Sequence, residues 1–173
     1  MDHRHKQTIV VIGAVTGIAT MVALLITLYY FLIPIPIGLN DMADRIAFTI
    51  RANVFAVLPL LIGVITVGNN RFFSDAIDPL ARAESRLIEI NSRYVDNTLQ
   101  QTVIFLAGTL ALSTFLASAE MRIIPALIFT FVLARIAFWI GYRIDPLYRA
   151  AGMAATGYMN AGILLFVVYR ILF

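Results

Sequence analysis

The chain has 173 residues, of which 61% are hydrophobic and 13% charged, with a formal net charge of +3. A soluble domain of this length cannot hide so much apolar surface, and the long apolar runs lack the alternation of barrel strands, so the sequence predicts an all-α integral membrane protein. The absence of cysteine removes disulfides, thiolate metal ligands and a cysteine nucleophile, and no basic run interleaved with aromatics points to nucleic acid.

Five segments reach the roughly 20 residues needed to cross a bilayer. The first, residues 8–32, follows Arg4 and Lys6 and stops at Ile33-Pro34-Ile35-Pro36. Its apolar run is too long for a signal peptide and shows no A-x-A cleavage site, so it reads as a retained helix. His3 and His5, so close to the terminus, read as solvated, and no metal is expected. The second segment, residues 46–68, carries Arg51 near its start, close enough to an interface to snorkel outward.

The connection over residues 69–96 has its own pattern. Asp78-Pro79 offers an N-cap followed by proline at the first helical position. Leu80, Ala83, Leu87, Ile90 and Tyr94 then recur at three-four spacing, with Arg82, Glu84, Arg86, Glu89 and Arg93 on other faces. The pattern predicts an amphipathic cytoplasmic helix that continues directly into the third segment, residues 97–119. Unbroken over 79–118, it is about 60 Å long at 1.5 Å per residue and has to project beyond the membrane. Arg93, Asn97 and Gln100, spaced i, i+4, i+7, share one stripe of it. Glu89, four residues before Arg93, offers that arginine an ordinary surface ion pair.

The fourth segment, residues 123–142, holds Arg135 in otherwise uncharged sequence. A guanidinium at that depth is expensive and usually turns to the bundle interior, where it meets a partner. Glu120 and the carbonyls of a neighbouring helix are the candidates. Arg135, Phe138 and Tyr142 form a second stripe at i, i+3, i+7, although Trp139 and Tyr142 also suit an interfacial belt. After Asp145-Pro146, Arg149 falls in the first turn of the fifth segment, residues 150–169. A guanidinium beside free helix N–H groups makes an anion site there unless Asp145 neutralises it. Residues 145–150 (Asp-Pro-Leu-Tyr-Arg-Ala) echo residues 78–83 (Asp-Pro-Leu-Ala-Arg-Ala), which read as two similar helix starts rather than a duplication.

With the N-terminus inside, Arg4, Lys6, Arg71, Arg82, Arg86, Arg93, Arg143 and Arg149 lie on the inner side and only Arg45, Arg122 and Arg170 on the outer. The charge bias therefore predicts five spans with a cytoplasmic N-terminus, and with no organelle signal it suits a bacterial inner membrane.

The run Arg93-x-x-x-Asn97-x-x-Gln100, followed by Phe105-Leu106-Ala107, is similar to the second-helix signature R-x-x-x-N-x-x-E of the MAPEG family, the membrane-associated proteins in eicosanoid and glutathione metabolism. Ala134-Arg135 through Gly141-Tyr142 to Arg149 resembles that family's third helix and the start of its fourth, without gaps. The resemblance covers roughly residues 46–172. It implies a four-helix MAPEG-like membrane domain over 44–173, with a transmembrane helix and loop over 1–40 added in front, as in the family's mattrin-like branch. It also implies a left-handed bundle assembled as a homotrimer, with glutathione held between subunits near the cytoplasmic helix ends.

Carried over by position, Arg93, Asn97, Gln100, Arg135 and Tyr142 would bind glutathione, and Arg149 would stabilise its thiolate, the nucleophilic form. Gln100 stands where the family usually has glutamate, Phe138 where many active members have tyrosine, and Val103 where proline is usual. The implied activity is transfer of glutathione to, or glutathione-dependent reduction of, a lipophilic small molecule reached from the bilayer. The alternative is a non-catalytic protein that binds membrane lipid or a partner. A small transporter is disfavoured, because no acidic residue lies inside a span and no pair of broken helices is present.

Overall fold

The computed structural model describes residues 2–81 and 83–173, with Pro79 described by its backbone alone. Arg82, counted above with the inner-side cations, lies outside the described residues. Among the described residues there are five α-helices and no strand: α1 (His3–Thr27), α2 (Met42–Phe72), α3 (Arg86–Ser113), α4 (Ile123–Ile144) and α5 (Ala150–Leu172). Helix α1 runs on into a wider π turn, Leu28–Leu32.

Four stretches, His3–Leu32, Met42–Phe72, Ser118–Ile144 and Ala150–Leu172, are long and apolar enough to cross a membrane. The chain is thus an all-α membrane protein with at least these four apolar helices. Helix α3 falls short of that standard because its polar residues do not stop with the charged first turns: Asp96, Asn97, Gln100 and Gln101 carry them into its second half.

Side-chain pairings give the helix directions. Asn53 meets Thr109 and Pro59 meets Tyr94, so α2 and α3 are antiparallel. Phe105 stacks on Phe131 and Tyr94 on Trp139, which makes α3 and α4 antiparallel. Arg135 reaches Gly152 and Thr156 across the α4–α5 turn. Helix α1 runs parallel to α5, with Gly13 beside Ala150 and Met21 bordering Met159. The N-terminus and the connections 73–85 and 145–149 therefore share one end of the bundle, called here the inner end. Residues 33–41, residues 114–122 and the C-terminus share the outer end.

The core lies between α2, α3, α4 and α5, where Phe105, Phe131, Met121 and Ile124 are fully buried. Helix α1 packs outside it against α5 and α4. Its approach is backbone to backbone: a Cβ on Gly17 would stand 2.1 Å from the Ala151 carbonyl oxygen. Gly13, one turn earlier, faces the same helix, so the two glycines form the small-residue seam that lets membrane helices pack closely. Gly17→Leu is expected to push α1 off α5 at a cost of about 1–3 kcal/mol. The check is thermal unfolding in detergent beside Gly68→Leu, whose added Cβ meets nothing within 4 Å; equal melting temperatures would contradict this seam.

The single helix expected over 79–118 does not form. Asp75–Ile77 and Pro79–Ala81 are isolated 3-10 turns, and α3 starts at Arg86. Ser85 supplies the cap, its hydroxyl accepting the Ile88 N–H at 3.4 Å. Next to it, Glu84 pairs with Arg71 at the end of α2, which ties the loop down just before the helix begins. Leu80, expected on the apolar face of that helix, is 88% exposed, whereas Ile90 and Tyr94 are buried. At its far end α3 stops at Ser113, where Ser113 and Thr114 turn their hydroxyls back onto the Leu110 and Ala111 carbonyls.

Candidate functional site

Arg135, in the middle of α4, is fully buried. Its Nη1 donates to Asn97 Oδ1 on α3 at 2.8 Å, and its Nη2 donates to the Gly152 carbonyl on α5 at 3.0 Å and to the Thr156 hydroxyl. The guanidinium carbon lies 4.6 Å from the centre of the Phe138 ring, one turn along α4. Of the two candidate partners, the neighbouring helix's carbonyl serves. Glu120 is occupied elsewhere, its Oε2 accepting the Ala117 N–H at 2.7 Å. Among the described residues no carboxylate comes within ion-pair distance of Arg135, and its Nε–H has no acceptor.

The contact with Gly152 depends on the absence of a side chain. A Cβ there would lie 2.4 Å from the Ala134 carbonyl oxygen and 2.5 Å from the Phe138 nitrogen. Helix α5 presses directly on α4 at this level, and that brings its carbonyl to the guanidinium.

From Arg135 the α4 stripe continues to the inner end. Phe138 meets Tyr142 edge to face at 5.7 Å, and the Arg149 guanidinium lies 5.0 Å from the Tyr142 ring. Tyr142 is buried, so it is a packing residue of the bundle and not an interfacial one. Arg149 occupies the N-cap position of α5, and its carbonyl accepts the Met153 N–H at 3.0 Å. Asp145 does not neutralise it; its Oδ1 accepts the Leu147 N–H at 2.8 Å. Asp78 makes the same bond to the Leu80 N–H at 2.9 Å, so the two Asp-Pro-Leu segments share a local turn.

Arg93 is exposed and makes the surface pair with Glu89, through Nε at 3.1 Å and Nη2 at 2.8 Å. Glu89, and after it the Tyr142 hydroxyl, hold this guanidinium above its usual pKa. Gln100 is exposed on the outward side of α3 and makes none of the cluster's hydrogen bonds. The structure thus joins Asn97 to Arg135, sets Arg149 against Tyr142, keeps Arg93 in a surface pair with Glu89, and leaves Gln100 apart.

Several residues of the cluster were not anticipated. Gly152 and Thr156 supply the α5 acceptors. Tyr94, fully buried, donates to the Pro59 carbonyl at 3.1 Å and stacks on Trp139 at 4.7 Å. Trp139 Nε1 donates to Asn91 Oδ1 at 2.9 Å. The signal for Asn91 and Tyr94 lay in their own i, i+3 spacing, which sets them on a neighbouring line of α3 that also faces α4. Arg135, Arg143 and Arg149 lie over the rings of Phe138, Trp139 and Tyr142 in turn, Tyr94 stacks on Trp139, and Arg93 stands on the facing helix α3. Glu89 is the carboxylate paired within this group among the described residues. Chemically, the inner end is a set of cationic donors on aromatic faces, suited to an anion.

Over 118 residues, 68% of its length, the chain is similar to Transmembrane protein 79 of Mus musculus, with 26% identity, and of Bos taurus, with 27%. This protein is also called mattrin. The matched part spans 30% of each relative's own length. No family model and no solved structure matches the chain. The relatives' name agrees with a membrane protein.

Proposed function

We propose that the chain is a MAPEG-like membrane protein that binds glutathione at the inner end, between copies of itself, and presents the thiolate to a lipophilic small molecule. The observation that carries this reading is Arg135, a buried cation whose partners are all neutral. Burying an ion without a counter-charge is costly, and a peptide with two carboxylates supplies the missing charge. Asn97 stands beside Arg135, Tyr142 separates it from Arg149, and Arg93 lies at the rim, a spread that suits an extended anionic peptide. Arg149 would favour the deprotonated thiol, whose sulfur lone pair then forms a C–S bond to an electrophilic carbon of the acceptor while that carbon's leaving group departs with the bonding pair. At an activated double bond, the π pair instead moves to the neighbouring carbon, which takes a proton from water.

The reading includes α3 as a fifth span, because α2 ends at the inner end and α4 begins at the outer. Its outward face carries Glu89, Arg93, Asp96 and Gln100, which are poorly suited to lipid. Copies meeting on this face, in the trimer that the resemblance implies, would cover it. The excess of Lys and Arg at the inner end favours a cytoplasmic N-terminus.

Titration calorimetry with glutathione tests the proposal. Wild-type protein in detergent is expected to saturate, and Arg149→Ala and Arg93→Ala to weaken binding about tenfold each, or about 1.4 kcal/mol. No saturable binding by wild type sinks the glutathione reading. Binding that survives both substitutions sinks this site.

A non-catalytic role is the second reading, favoured by the way Arg135 spends its terminal nitrogens on internal acceptors and by the missing hydroxyl at Phe138. It predicts a stable assembly with no affinity for glutathione. Subunit counting in detergent bears on both readings, since a stable monomer contradicts a site between copies.

A further inference from the structure

We propose that the outer end of the bundle holds one phospholipid with an amine-bearing headgroup, in a groove that α1 completes. The mouth is a cavity of about 350 Å³ bordered by Tyr29, Tyr30, Glu120 and Ile123. It opens into a second of about 380 Å³ that reaches Met21, Met159 and Gly162. Leu25, Leu116 and Ile123 line both, so the two form one channel between α1, α3, α4 and α5. From Tyr30 to Met21 the α1 wall descends nine residues, about 13 Å at helical rise, close to half of a hydrocarbon core about 30 Å thick. The deep part is walled by apolar side chains. Its depth and character match one leaflet's acyl chain.

Glu120 borders the mouth, and Arg122 stands beside it against the two tyrosines that border it. The Arg122 guanidinium lies 4.1 Å from the Tyr29 ring and 5.9 Å from the Tyr30 ring. The π turn Leu28–Leu32 sets these successive tyrosines there, a widened turn of the sort that recurs at functional sites. Among the described residues Arg122 has no carboxylate partner, and its buried Nε has no acceptor. Glu120, two residues away, is held by the Ala117 N–H and not by Arg122. One cation and one carboxylate that do not pair with each other complement a zwitterion: the phosphate goes to Arg122 and the ammonium to Glu120. The two tyrosines sit where amphipathic rings favour the membrane–water boundary. The groove is at the opposite end from Arg149, so it stands whether or not glutathione binds there.

The test is native mass spectrometry of the protein released from bilayers of equal phosphatidylethanolamine and phosphatidylglycerol with identical acyl chains. One phosphatidylethanolamine per chain is expected to stay bound. Arg122→Ala should lower its retention about tenfold. Gly162→Leu, whose Cβ meets nothing within 4 Å, should fill the groove and displace both lipids while Trp139 emission, a check on folding, stays unchanged. Retention that neither substitution alters overturns the site, and preference for phosphatidylglycerol overturns the headgroup assignment. If Gly162→Leu changes the number of subunits but not the lipid count, the groove belongs to a second copy and the proposal fails.

Discussion

Gly152→Val is expected to be the most damaging single substitution in the bundle. The new Cβ would lie 2.4 Å from one backbone atom of α4 and 2.5 Å from another, so no side chain can turn aside to admit it. Overpacking ordinarily costs about 1–3 kcal/mol, and a clash against two backbone atoms belongs at or above the upper end. Separating α5 from α4 also takes the Gly152 carbonyl away from Arg135, so packing and polar contacts fail together. Gly157→Val, five residues along the same helix with open space around it, is the control and should change stability by less than about 0.5 kcal/mol. The chain's single tryptophan, Trp139, lies next to Phe138 and reports the transition by its fluorescence. Equal melting of the two variants would contradict the close α4–α5 contact.

The second large effect is an order of stabilities. Thr156→Val keeps the shape of the side chain but removes an acceptor from a fully buried guanidinium, at about 1.5–3 kcal/mol for a bond to a charged group. Arg135→Met removes the charge itself and keeps a long flexible stem. It leaves neutral groups behind, and of these the Gly152 carbonyl still receives the Thr156 hydroxyl at 3.1 Å. The desolvation cost of the ion also disappears, so the net loss should be on the order of 1 kcal/mol or less. The expected order is therefore that Arg135 tolerates replacement better than it tolerates losing a partner. Thermal unfolding of the two variants checks this. If Arg135→Met proves the less stable, the guanidinium is a net structural tie and its reservation for a ligand is unsupported.

Length and hydropathy were enough to find the apolar helices, because the bilayer imposes one length and one composition on each. Arg135 also announced its need for a partner from the sequence, and the stripe toward Tyr142 emerged from helical spacing alone. Its partners did not. Gly152 and Thr156 belong to α5, and nothing local marks a glycine as the point where two backbones touch. The break before α3 was missed because two start signals compete, Asp78-Pro79 and Ser85. The Arg71–Glu84 pair, a contact between distant residues, accompanies the later one. Gln100 shares a spacing with Arg93 and Asn97 yet faces away from Arg135. The stripe is wide, and spacing alone does not say which of its edges meets α4.

Arg135 joins the fold to the proposed function, and glutathione affinity of the Arg135→Met variant tests that connection most directly. Calorimetry on wild type and variant, each with unchanged Trp139 emission, should give saturable binding for the wild type and at least a tenfold loss for the variant, about 1.4 kcal/mol or more. Equal affinities, or no saturable binding by the wild type, would contradict the account.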